Sequence, residues 1–131
     1  MQGWQLCAGA TLLMPSGNQG NHLHVALNDP CPFENYGSHA SVILVNLSSI
    51  RDGLPYDTTC VLAAGAHPFI KRDSFVFYRN ARIEQASHVV KLVERGVFSA
   101  HQPVSAEVLQ VVKAGLYQSP FTKREFKQFR F

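Results

Sequence analysis

Residues 41–47, Ser41-Val42-Ile43-Leu44-Val45-Asn46-Leu47, form a β-branched apolar run bounded by polar residues. Such a run suits a central strand buried on both faces. Shorter segments of the same kind recur on either side of it. Upstream, Gly9-Ala10-Thr11-Leu12-Leu13-Met14 stops at Pro15 and a glycine- and asparagine-rich loop over Ser16 to Asn21, as a first strand would. His22-Leu23-His24-Val25-Ala26-Leu27 alternates polar with apolar until Asn28-Asp29-Pro30 turns the chain, the pattern of a half-buried strand. Cys31 to His39, with Pro32, Asn35 and Gly37, reads as a loop whose Phe33 and Tyr36 pack down as a flap.

Downstream, a loop with Asp52-Gly53 and Pro55 leads to a strand over Thr58-Thr59-Cys60-Val61-Leu62. Gly65-Ala66-His67-Pro68 turns the chain again, Ser74-Phe75-Val76-Phe77-Tyr78 alternates as a strand, and Ala81-Arg82-Ile83 extends it past a bend. Short strands separated by turn signals, with no crossover helix between them, predict a mainly β (α+β) chain built on a small antiparallel barrel rather than a βαβ fold.

After Ile83 the period changes. Ala86, Val89, Val90 and Val93 recur at three and four residues, which predicts a helix over 85–95 closed by Gly96 in the left-handed capping position. Ser105 as N-cap, Glu107 in the first turn and the apolar set Val108, Leu109, Val111, Val112 and Leu116 predict a second helix. The organisation expected is one domain over 1–131: barrel about 9–83, helices about 85–117, and a basic-aromatic tail over 118–131.

The chain has 131 residues, 46% of them hydrophobic, enough for one core that buries roughly two thirds of the surface. Cys7, Cys31 and Cys60 are an odd count at wide spacing, which points to reduced thiols in a cytoplasmic protein rather than a disulfide framework or zinc cage. The start, MQGWQLCAGATLLMPSGNQG, carries neither a cationic leader nor an apolar run long enough for a signal or membrane span. A formal charge of +3 is too mild to argue nucleic-acid binding by itself. Its distribution is more informative: Lys71, Arg72, Arg79, Arg82, Lys91 and Arg95 outnumber Asp73, Glu84 and Glu94, and the end of the chain reads TKREFKQFRF. The plain reading of either cluster is a solvated face.

No metal motif, phosphate-cradling glycine loop or nucleophile elbow occurs, so metal hydrolases, nucleotide-binding enzymes and serine hydrolases are not indicated, and no cofactor is expected. Histidines remain. His22 and His24 share one face of a strand, and His67 opens the charged loop His67-Pro68-Phe69-Ile70-Lys71-Arg72-Asp73-Ser74. Imidazoles that exchange protons near neutrality, beside Lys71 and Arg72 as a phosphate clamp, suit cleavage of an RNA backbone by its own 2′-hydroxyl. Ser48, Ser49 and Arg51 make a second polar cluster at the end of the central strand. The plain alternatives are structural histidines and serines that cap a turn.

Taken together, the order of parts resembles the PemK/MazF-like toxins, small ribonucleases in which an SH3-like barrel precedes helices. The likeness spans about residues 9–117. It runs through Gly20-Asn21-His22-Leu23-His24-Val25-Ala26-Leu27-Asn28, Val45-Asn46-Leu47-Ser48-Ser49, Thr59-Cys60-Val61-Leu62, Ser74-Phe75-Val76 and Pro103-Val104-Ser105-Ala106-Glu107-Val108-Leu109. Where the family carries an Arg-Pro pair whose arginine takes part in cleavage, this chain has Leu23-His24. The resemblance implies a metal-independent endoribonuclease toxin acting on single-stranded RNA as a homodimer silenced by a cognate antitoxin protein. Joined to the residue reading, it assigns His24 and His67 to proton transfer, Ser48 to orienting the phosphate, and His22, Ser49, Arg51, Lys71, Arg72, Ser74 and Arg79 to RNA contact. A reading from another class is a non-catalytic barrel that binds a protein or nucleic-acid partner through the tail Phe121 to Phe131.

Overall fold

A computed structural model describes residues 3–15 and 20–131. The loop expected over Ser16 to Asn21 therefore lies largely outside the described residues. The strands are β1 (Thr11–Pro15), β2 (Asn21–Ala26), β3 (Ser41–Ser49), β4 (Val61–Leu62), β5 (Ser74–Val76), β6 (Arg82–Gln85) and β7 (Ser99–His101); the helices are α1 (Ala86–Glu94) and α2 (Ala106–Gln118). The protein is a small α+β fold with one antiparallel sheet.

The apolar run around Val42 to Leu47 is the centre of that sheet. One edge of β3 pairs with β2 through His24↔Asn46, Val25↔Val45 and Ala26↔Leu44. Its other edge is divided: β6 pairs with Ser41 to Leu44 and β5 with Leu47 to Ser49. A 3-10 turn at Tyr78–Asn80 takes up the extra residues between the two pairings. Tyr78 is buried there, and its hydroxyl donates to the Val112 carbonyl of α2 at 2.8 Å. Gly115 makes this approach possible, because a Cβ at that position would occupy the space of the tyrosine hydroxyl.

β3 is buried on both faces because its side chains alternate between two cores. Ile43, Val45 and Leu47 join Leu23, Val25, Val76, Tyr78, Val112 and Leu116 beneath α2. Val42 and Leu44 join Leu12, Met14, Ala26 and Val89 beneath α1. Each such side chain removed from water contributes about 1.5–3 kcal/mol before conformational entropy is subtracted, so this strand anchors both layers.

The helix signals match the structure. Ser105 Oγ accepts from the Val108 N–H at 3.2 Å. Gly96, at φ +77°, ends α1 with Val97 N–H bonded to Leu92 O and Gly96 N–H to Val93 O, the paired bonds of a Schellman cap. Between the helices the chain also forms β7, which pairs with β1 through Thr11↔His101 and Leu12↔Ala100. Three residues carry too little periodicity to announce a strand, and none is expected between the two helices.

The sheet runs β4-β5-β3-β2-β1-β7, and among the described residues no ladder joins β4 to β7. The sheet is thus open where the sequence predicted a closed barrel. β4 has two residues and β7 three, which leaves few backbone groups to form the missing seam. The flap and the tail close over one core instead. Phe33 is buried against Phe129 with ring centroids 4.6 Å apart, Phe126 is buried, and Tyr117 Oη donates to Phe129 O at 2.6 Å. Apart from Phe121, the tail's aromatic rings are thus spent on the protein's own packing, not held out as an arm. Among the described residues no helix is long and apolar enough to cross a membrane.

Candidate functional site

The face of β3 that points toward α1 changes character along the strand. Val42 and Leu44 are apolar and covered, whereas Asn46 and Ser48, on the same face two and four residues on, are polar and lie beyond the helix. Register brings His24 opposite Asn46, and His22 opposite Met14 of β1. The result is a hollow of about 550 Å3 lined by His22, His24, Asn46, Ser48, Phe77, Arg79, Arg82 and Lys123, among others. No Asp or Glu is among the described residues that line it.

His24 is 9% exposed, and its Nδ1 lies 3.0 Å from the His22 carbonyl. A carbonyl only accepts, so Nδ1 carries the proton and the neutral ring keeps its lone pair on Nε2. Burial lowers the His24 pKa from 6.5 to about 4; the bond to the His22 carbonyl opposes this, while the charges of Arg82 and His22 reinforce it. His24 is therefore a neutral proton acceptor at pH 7. Arg82 stays close by, its Nη2 3.1 Å from Met14 Sδ. Its Nε is 3.3 Å from Glu84 Oε1, an ion pair by distance without hydrogen-bond alignment, so Glu84 offsets part of its charge.

A second hollow, of about 220 Å3, adjoins the first and shares His22 and Ser48 with it. Ser49, Arg51, Phe69, Lys71, Arg72 and Ser74 are also part of its wall. The regions near positions 22–24, 48 and 70–72, remote in sequence, thus meet on one basic surface. Every residue assigned to RNA contact from the sequence lines one hollow or the other. Ser74 is committed locally, since its hydroxyl donates to Arg72 O at 2.9 Å.

His67 is placed differently. It lines neither hollow and is 2% exposed. Its Nε2 lies 2.7 Å from Gln102 O and its Nδ1 accepts from the Phe69 N–H at 3.0 Å. Burial, reinforced by neighbouring His101, lowers its pKa despite the Gln102 bond. With both nitrogens committed, this imidazole has no atom left to move a substrate proton. Of the two histidines expected to transfer protons, His24 lines a hollow and His67 does not.

Asn46, Phe77 and Lys123 belong to the site but were not singled out from the sequence. A polar Asn46 inside an otherwise apolar strand, two residues before Ser48, was the available signal; Lys123 arrives only through the docking of the tail. Among the described residues no three His, Cys, Asp or Glu side chains converge as a metal site would require. No protein-family model matches the chain, and no curated protein or solved structure matches it either.

Proposed function

We propose that this chain binds single-stranded RNA across the two joined hollows and cleaves it without a metal ion, as a PemK/MazF-like toxin would. The observation that carries the reading is His24, a neutral base with a fixed tautomer, in the same hollow as Ser48, Arg79 and Arg82. In the proposed step His24 Nε2 takes the proton of a 2′-hydroxyl, the 2′-oxygen bonds to phosphorus, and the bond from phosphorus to the 5′-oxygen breaks. His22 returns a proton to that leaving oxygen. Arg79 and Arg82 neutralise the non-bridging oxygens and Ser48 donates to one of them. On this reading the curled sheet is an SH3-like barrel whose last seam is made by the His67 side chain, and the reading carries with it a cytoplasmic homodimer silenced by a cognate antitoxin.

A second reading draws on the same histidine. A pKa of about 4 makes its lone pair weakly basic, which favours a surface that holds RNA without cutting it. Incubation of the purified protein with single-stranded RNA in EDTA separates the two. Fragments that end in a 2′,3′-cyclic phosphate and begin with a 5′-hydroxyl are expected; retention of intact RNA on the protein would leave only binding.

A further inference from the structure

Beside the larger hollow, and sharing Phe77 and Arg79 with it, lies a cleft of about 240 Å3 lined by Pro55, Tyr56, Asp57, Phe75, Phe77, Arg79 and Phe121. Four of these residues are aromatic. Strand parity accounts for two, because Val76 points into the core and Phe75 and Phe77 therefore point outward. Tyr56 is 37% exposed and Phe121 43%. The ring centroids of Tyr56 and Phe75 are 5.4 Å apart, and those of Phe75 and Phe77 5.6 Å. The Arg79 guanidinium lies 4.7 Å from the Phe121 ring centroid. Successive outward rings are costly on a small protein's surface and mark a binding site when they cluster.

The floor of the cleft is built. Asp57 is buried, accepts from Ser119 Oγ at 2.5 Å, and accepts from Thr59 N–H at 3.0 Å and Thr59 Oγ1 at 2.6 Å. These bonds tie the Tyr56 segment to the end of α2 and so fix Tyr56 beside Phe75.

We infer that this cleft takes one unpaired nucleobase of the strand whose phosphates lie in the adjoining hollow. Planar π-faces bind any base by stacking. Arg79 stands at the boundary, where a base, its ribose and the next phosphate would pass from rings to cations. A space of about 240 Å3 is enough for one flat ring system. The inference rests on the RNA reading above and adds to it the group that is recognised.

The test compares two probes by fluorescence anisotropy: a hexamer of 2′-O-methyluridine, which has no free 2′-hydroxyl to react, and a ribose-phosphate hexamer of the same length without bases. The intact protein is expected to bind the base-bearing probe about tenfold more tightly. Tyr56→Ala and Phe121→Leu, both at exposed positions, should each lose most of that preference while binding of the baseless probe is unchanged. Equal binding of both probes by the intact protein would overturn the base subsite and leave the phosphate reading standing. Binding of neither would overturn both. A Tyr56→Ala protein that keeps its preference but changes its oligomeric state would assign the cleft to a second copy of the chain and overturn the inference.

Discussion

Two buried histidines in this protein have similar burial and different hydrogen-bond partners. His24 and His67 are both removed from water and both have lowered pKa values. At His67 each ring nitrogen has a partner, Gln102 O on one side and Phe69 N–H on the other. At His24 one nitrogen is bonded to the His22 carbonyl, and the ring lines a hollow with two arginines. Counting hydrogen bonds therefore separates an imidazole with both nitrogens committed from one with a single partner among the described residues, where burial does not. His67 also joins regions that the strand ladder leaves apart: its loop follows edge strand β4, and Gln102 follows edge strand β7.

The contrast breaks most directly at His24. Replacement by Ala should lower the cleavage rate of the folded protein by about 10²–10⁴-fold, the usual contribution of a positioned proton acceptor. Cleavage at the original rate would remove His24 from the chemistry.

His67→Ala should show the reverse pattern. It leaves Gln102 O and the Phe69 N–H without their partner and opens a void between the loop and β7, at a cost of about 2–4 kcal/mol. Urea denaturation would measure it, and single-turnover cleavage by the folded fraction should persist. Loss of cleavage at unchanged stability would erase the distinction between the two histidines.

The sequence reveals one half of this contrast better than the other. Strand alternation over 22–27 places His22 and His24 on one face, and the apolar run at 41–47 announces the two-sided centre to which they are paired. The helix ends at Gly96 and Ser105 are equally legible, because capping depends on residues next to each other in the chain. His67 is not legible in this way. Its partner on the far edge is 35 residues away, and nothing local distinguishes a histidine that completes a seam from one that faces a substrate. The same limit hid Lys123, Phe121 and β7, whose positions depend on how a tail and a three-residue strand dock. The closed barrel was inferred from the count of short strands, but β4 and β7 are too short to complete it with backbone bonds.

Acid should sharpen the comparison. The folded pKa of His24, about 4, lies below its unfolded value near 6.5, so the unfolded chain binds the extra proton first. The stability that His24 contributes is complete above about pH 6.5 and declines as the pH falls toward 4, with about 2 kcal/mol lost by pH 5. His67, shifted in the same direction, adds to the decline. His24→Gln, which does not titrate, should reduce the difference in urea midpoint between pH 7 and pH 5 without abolishing it. An undiminished difference would place the acid sensitivity elsewhere.

The smallest effect concerns what His67 holds in place. Its Nδ1 bond to Phe69 N–H fixes the loop that presents Lys71 and Arg72 to the second hollow. If a strand of RNA crosses that loop, Lys71→Ala and Arg72→Ala should each reduce the slope of log affinity against log salt by about 0.7, the share of one phosphate contact on a single strand. Neither should alter stability appreciably, since both side chains are exposed. His67→Ala should reproduce that loss of slope only as far as the loop loses its shape. Slopes unchanged in both charge variants would route the phosphates over Arg79 and Arg82 alone, and His67 would then hold together the sheet edges without serving the RNA path at all.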